Sequence, residues 1–126
     1  MNVEKQVAHW LASAAEDWDV AEMLLKNGKL LHGLFFIHLT VEKAFKAAYY
    51  KKSGQVPPKI HNLLRLAELA DITLTDEQRD ICSVINKFND QGRYPETGSG
   101  RIEKARALKY LSDAEGIYRW LRKQLS

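Results

Sequence analysis

One cysteine, Cys82, stands among 126 residues, so no disulfide can close within the chain, and a reducing cytoplasm is the expected compartment. There are only three prolines, and the Pro57-Pro58 pair falls where a helical pattern stops. Long apolar runs are absent too. The most apolar window, residues 30–50, is broken by His32, His38, Glu42, Lys43 and Lys46, whose charges would be costly in a bilayer, so it reads as a core helix and no membrane partner is expected. Met1 leads through Asn2, Val3, Glu4 and Lys5 into an amphipathic stretch, which is not the pattern of a secretory signal. No stretch alternates with the two-residue period of a strand, and there is no internal repeat or low-complexity segment.

Hydrophobic residues make up 45% and charged residues 28%, ordinary globular values that argue against disorder. The length fits one domain spanning residues 1–126. A net charge of +3 is small but unevenly placed: residues 1–90 hold 11 basic and 12 acidic groups, residues 91–126 hold 8 and 4. The C-terminal surplus suits a phosphate-bearing partner or an acidic protein, and a solvated helix face accounts for it equally well.

Val3, Val7, Trp10, Leu11, Ala14, Trp18, Ala21 and Leu25 follow three- and four-residue steps, predicting a first helix that ends near Asn27 and Gly28. Leu31, Leu34, Phe35, His38, Val41, Phe45, Ala48 and Tyr49 repeat the pattern in a second helix, stopped by Ser53 and Gly54. A link of about two residues makes the pair an antiparallel hairpin. A short third helix is expected over residues 61–70. A fourth begins at Thr75, where Gln78 completes a capping box, and carries Ile81, Val84, Ile85 and Phe88 inward. Residues 90–100 read as a loop, and a last helix starts near Arg101 with Leu108, Leu111, Ala114, Ile117, Tyr118, Leu121 and Leu125 on its apolar side. The predicted fold is all-α: an antiparallel four-helix bundle with one additional short helix.

Few residues suggest chemistry. His9, His32, His38 and His61 form no metal-binding pair with a second good ligand, and His38 with Glu42 supplies too few donors for zinc, so neither metal nor cofactor is expected. His38 lies on the apolar stripe and reads as a core or interface histidine. Glu42 and Lys46, one turn apart, read as a solvated helix pair. Gly98, Ser99 and Gly100 precede a helix start reinforced by Arg101 and Lys104, an arrangement that attracts anions; a surface loop without ligand explains the same residues. The phosphate-binding Gly-x-x-x-x-Gly-Lys motif, a dinucleotide fingerprint and a nucleophile elbow are all missing. The aromatics Trp10, Trp18, Phe35, Phe36, Phe45, Phe88, Tyr110, Tyr118 and Trp120 recur at helical spacing and read as core or interface groups. Three tryptophans on long amphipathic helices are more apolar surface than so small a bundle easily covers, so a homodimer is expected.

Taken in order, Trp10, Ala14, Asp17 and Ala21, then His38 with the run Val41-Glu42-Lys43-Ala44-Phe45-Lys46-Ala47, then His61-Asn62-Leu63, then Arg93-Tyr94-Pro95 resemble the HEPN domain family over nearly the whole chain. The resemblance implies a helical bundle that pairs into dimers. It also implies a small nucleotidyltransferase as protein partner in a toxin–antitoxin arrangement, with a nucleotide or RNA as the other candidate ligand. His38, Glu42, Lys43 and Lys46 would be its helix-two motif, and Arg93, Tyr94, Arg101, Lys104 and His61 its ligand-binding groups. Active ribonucleases of the family carry an arginine followed, four to six residues later, by a histidine. This sequence departs from that pattern, because its last histidine, His61, precedes its first arginine, Arg65. The general base such chemistry needs is therefore missing from its usual place. A non-standard ribonuclease using His61 with Arg93 and a structural dimer without ligand are the alternatives.

Overall fold

The computed structural model describes residues 2–93 and 102–125, the side chains of 90–93 excepted. Five helices follow in order: α1 (Val3–Lys26), α2 (Leu30–Ser53), α3 (Leu63–Leu69), α4 (Asp76–Arg93) and α5 (Lys104–Leu125). The long ones form a helical bundle with α3 as the short addition, and there is no strand among the described residues.

Three of the starts are written locally, those of α1, α3 and α4. Asn2 caps α1 by accepting from the Lys5 amide at 3.2 Å. The Thr75 hydroxyl accepts from the Gln78 amide at 3.1 Å while the Gln78 side chain accepts from the Thr75 amide at 2.9 Å, so the capping box closes as expected. Asn62 caps α3 through the amides of Leu64 and Arg65, and Asn86 on α4 accepts from the Leu63 amide at 2.8 Å. That side-chain bridge docks the start of α3 onto α4. At the end of α2, Gly54 takes a left-handed conformation (φ 69°) and its amide donates to the Tyr50 carbonyl at 2.8 Å, which closes the helix without a Cβ penalty.

The centre of the bundle is α2, which packs against all four other helices and buries residues around most of its circumference. Leu34, Ile37, Val41, Ala44 and Phe45 are fully enclosed, each large side chain contributing about 1.5–3 kcal/mol by leaving water. Around them close Ala14, Trp18 and Leu25 of α1, Leu63 and Leu66 of α3, Cys82, Ile85 and Phe88 of α4, and Ala107, Ala114, Ile117 and Leu121 of α5. Trp18 stacks on Tyr118 with ring centroids 5.5 Å apart. The α1–α2 turn is tight: a Cβ on Gly33 would lie 2.6 Å from Leu25 Cδ2.

Three sequence readings need correction. Helix α4 runs on through Arg93, so residues 90–93 are helical and not loop; a single glycine, Gly92, costs a last turn only about 1 kcal/mol and does not end it. In α5 the buried set is Ala107, Ala114, Ile117, Tyr118 and Leu121, and Leu108 lies outside it, 43% exposed. Glu42 and Lys46 are not solvated, being 5% and 7% exposed, because the segment before α3 and the Trp10 ring of α1 cover that part of α2. No helix among the described residues is long and apolar enough to cross a membrane.

Candidate functional site

Three polar groups that α2 presents at one-turn steps, His38, Glu42 and Lys46, gather beside the segment that leads into α3. Glu42 is the hub. Its Oε2 accepts from Lys46 Nζ at 2.9 Å, and its Oε1 accepts from His61 Nδ1 at 3.0 Å. Lys46 also lies 5.9 Å from the centre of the Trp10 ring on α1, where the aromatic face shares the positive charge. His38 is wholly enclosed; its Nε2–H donates to the backbone carbonyl of His61 at 2.9 Å, and its Nδ1 stands 3.6 Å from Glu42 Oε1. A carbonyl can only accept, which fixes the proton of His38 on Nε2. His61 is thus held twice, by its backbone from His38 and by its ring from Glu42.

A buried carboxylate flanked by a buried ammonium offsets its desolvation only if its remaining lone pairs are satisfied, and here His61 and Lys46 each take one oxygen. The consequence is positional. His61 keeps 47% of its side chain exposed, and a carboxylate on Nδ1 sets ring orientation and tautomer, leaving Nε2 as the basic nitrogen. This is the arrangement used to orient a general base, or a histidine that holds an anion once protonated. Among the described residues no group of three or more His, Cys, Asp or Glu is arranged to hold a metal.

Lys43 faces the other way. Its Nζ reaches Asp17 Oδ2 and Ser13 Oγ, both at 2.7 Å, and so straps α2 to α1. The helix-two residues therefore do three jobs: Lys43 ties α1, His38 and Glu42 tie the segment before α3, and Lys46 neutralises Glu42. Lys104, expected as an anion ligand, donates to the Lys26 carbonyl at 3.2 Å and satisfies the end of α1. Tyr94, Arg101 and the Gly98-Ser99-Gly100 segment lie outside the described residues, as does the side chain of Arg93. Cys82 carries no thiolate chemistry near neutral pH, since burial pushes its thiol up to about 12 against a smaller lowering by Arg79.

The C-terminal basic surplus of the sequence takes the form of a groove. At the C-terminal end of α5, Leu11, Arg119, Trp120, Arg122, Lys123 and Leu125 line an open groove of about 640 Å³. Arg122 is already anchored there: it donates to Tyr118 Oη at 3.1 Å and lies 5.6 Å from the centre of the Tyr118 ring. Arg119 is braced by Glu115 at 2.8 Å. The sequence signal was present as Trp120 with cations one position before it and two and three after it, but only the packing of α1 beside α5 supplies Leu11 and makes a groove of them.

The HEPN domain family model matches residues 7–124. The crystal structure of TT1696 from Thermus thermophilus superposes with a TM-score of 0.80 at 20% sequence identity, covering 94% of this chain and 97% of that one, a likeness of fold. No curated protein sequence matches.

Proposed function

The chain belongs to the HEPN domain family, and from that premise we propose that it is a homodimeric partner module, binding a nucleotidyltransferase protein or a nucleotide, and not a self-sufficient enzyme. One observation carries the reading. The polar motif of α2 is consumed inside the molecule, by Glu42, Lys46, His38 and the segment it holds, whereas the cations of α5 stand around an open groove with an aromatic wall. Internal use of the motif is what a scaffold needs, and a braced cationic groove is what a phosphate-bearing ligand needs. A toxin–antitoxin type system in the cytoplasm is the setting this reading implies.

The test is titration of the purified chain with a fluorescent ATP analogue at several salt concentrations. Binding that weakens steeply with salt and falls about tenfold or more in Arg119→Ala/Lys123→Ala supports the reading. Affinity indifferent to both salt and those substitutions ends the nucleotide arm of it. Co-expression with the product of an adjacent nucleotidyltransferase gene, followed by co-purification, examines the protein arm.

The second reading, a metal-independent ribonuclease, is favoured by one contact, the 3.0 Å bond from His61 Nδ1 to Glu42. In it His61 Nε2 would take the proton of an attacking 2′-hydroxyl, and Arg93 would hold the phosphate. Metal-free protein that cleaves single-stranded RNA, with cleavage abolished by both His61→Ala and Arg93→Ala, would establish this reading in place of the first.

A further inference from the structure

Two cations of the groove at the end of α5 are held in place and still have hydrogen bonds to give. Arg119 donates from Nε and Nη2 to one oxygen of Glu115, at 3.1 and 2.8 Å, and Arg122 donates from Nη1 to Tyr118 Oη at 3.1 Å and to the Leu11 carbonyl at 3.4 Å. A guanidinium has five N–H donors, so each of the two keeps three beyond these contacts. The pair stands three residues apart, neighbours on one side of the helix, and planar forks fixed in this way suit the oxygens of a phosphate chain.

Charge is only part of the groove. Leu11, Trp120 and Leu125 share its lining with the cations, and Trp120, partly buried against the core, supplies the aromatic ring. Arg122 and Lys123 also lie in the last turn of α5, where the negative end of the helix dipole draws on their charge, so the cations alone hold an anion weakly. A base stacked on the indole adds what they lack, since every base has a π-face. The volume of about 640 Å³ accommodates both parts of such a ligand. The side chains of the lining are guanidinium, ammonium, indole and alkyl groups, none of which can accept a hydrogen bond. The amino groups that tell adenine from guanine therefore find no side-chain partner there, and a site without such partners cannot discriminate by them.

We infer that the groove takes a nucleoside polyphosphate, its base against Trp120 and its phosphates on Arg119 and Arg122, and that it reads ring and phosphates without distinguishing adenine from guanine. The inference rests on the nucleotide arm of the function proposed above and assigns each part of that ligand to a residue. Neither part suffices alone. Adenosine lacks the charge and inorganic tripolyphosphate lacks the ring, so each binds more weakly than ATP, and GTP binds as ATP does.

Displacement of a ribose-labelled fluorescent ATP analogue from the full chain at low salt tests this. ATP and GTP are expected to compete within about threefold of each other, and adenosine and sodium tripolyphosphate each about tenfold or more weakly. Trp120→Leu, which keeps an apolar side chain against the core, should cost both nucleotides about tenfold and leave tripolyphosphate unchanged, while Trp120→Phe should recover most of the loss. Unchanged tripolyphosphate binding shows the cations of the variant to be in place, so the loss belongs to the ring and not to the fold. ATP that competes no better than tripolyphosphate, an ATP–GTP difference above about tenfold, or a Trp120→Leu variant that binds ATP as the wild type does overturns this inference and leaves the nucleotide reading standing. An analogue that does not bind at low salt overturns that reading and this inference together.

Discussion

At the scale of single residues, Glu42 shows how a local rule is overridden by position. An acid four residues before a lysine is an ordinary exposed helix pair worth a few tenths of a kcal/mol, and removing it from a surface would scarcely register. Here both members are enclosed and the acid also holds His61. Glu42→Ala is therefore expected to destabilise by about 3–5 kcal/mol, since it strands a buried ammonium, whereas Glu42→Ala/Lys46→Met should recover much of that loss. Urea unfolding decides it, and a single-variant cost below about 1 kcal/mol would return the pair to the surface. Gly33 poses a second contest. Alanine has the better helix propensity by about 1 kcal/mol, but its methyl would meet the fully buried Leu25 at 2.6 Å, and overpacking a closed core costs about 1–3 kcal/mol. Gly33→Ala should thus lower the unfolding midpoint; a rise would mean that the α1–α2 turn yields easily.

Among the elements, α4 is the one whose start was best marked and whose end was least. Its capping box is a local pattern of two side chains and two amides, so it forms wherever a threonine and a glutamine stand three residues apart at a helix start, as Thr75 and Gln78 do. Thr75→Ala should cost about 1 kcal/mol and fray the first turn, visible as faster amide exchange at Gln78 and Arg79, whose amides donate to the Thr75 hydroxyl and carbonyl, while Thr75→Ser should be nearly silent. An unchanged exchange pattern in the alanine variant would show the box to be dispensable. The far end, by contrast, carries polar residues and Gly92 in a helix through Arg93, because a helix already launched and packed along α2 continues through weak formers at small cost. In α5 the inward set is shifted by one position, with Ala107 in place of Leu108. Two overlapping stripes were compatible with the sequence, and contact with α2 selected the one that lets the helices approach closely.

For the molecule as a whole, activity is where the two readings of function diverge. No histidine follows any arginine in the chain, and His61 is the histidine that the fold presents at its surface on a buried carboxylate. Purified protein freed of metal should leave a single-stranded RNA intact over hours while still retaining an anionic ligand at low salt. Gel analysis of a labelled oligonucleotide checks the first half; degradation sensitive to His61→Ala would transfer the protein to the ribonuclease class.

The helices, their hairpin connection, the capping box of α4 and most of the core could be read from sequence, because periodicity and capping act within one or two turns of chain. The family resemblance was legible for the same reason, its motifs being short runs in a fixed order along those helices. Which polar residues of α2 are wet was not legible. Glu42, Lys46 and His61 become one cluster only when the segment before α3 folds back over α2, across 19 residues of chain from Glu42 to His61. Nor was the groove that unites Leu11 with Arg122, 111 residues apart, since it exists only where α1 lies beside α5. The chain by itself determined what each helix is; the packing of one helix on another decided which charges are buried and which remain outside to meet a partner, because burial belongs to neighbours in space and not to neighbours in sequence.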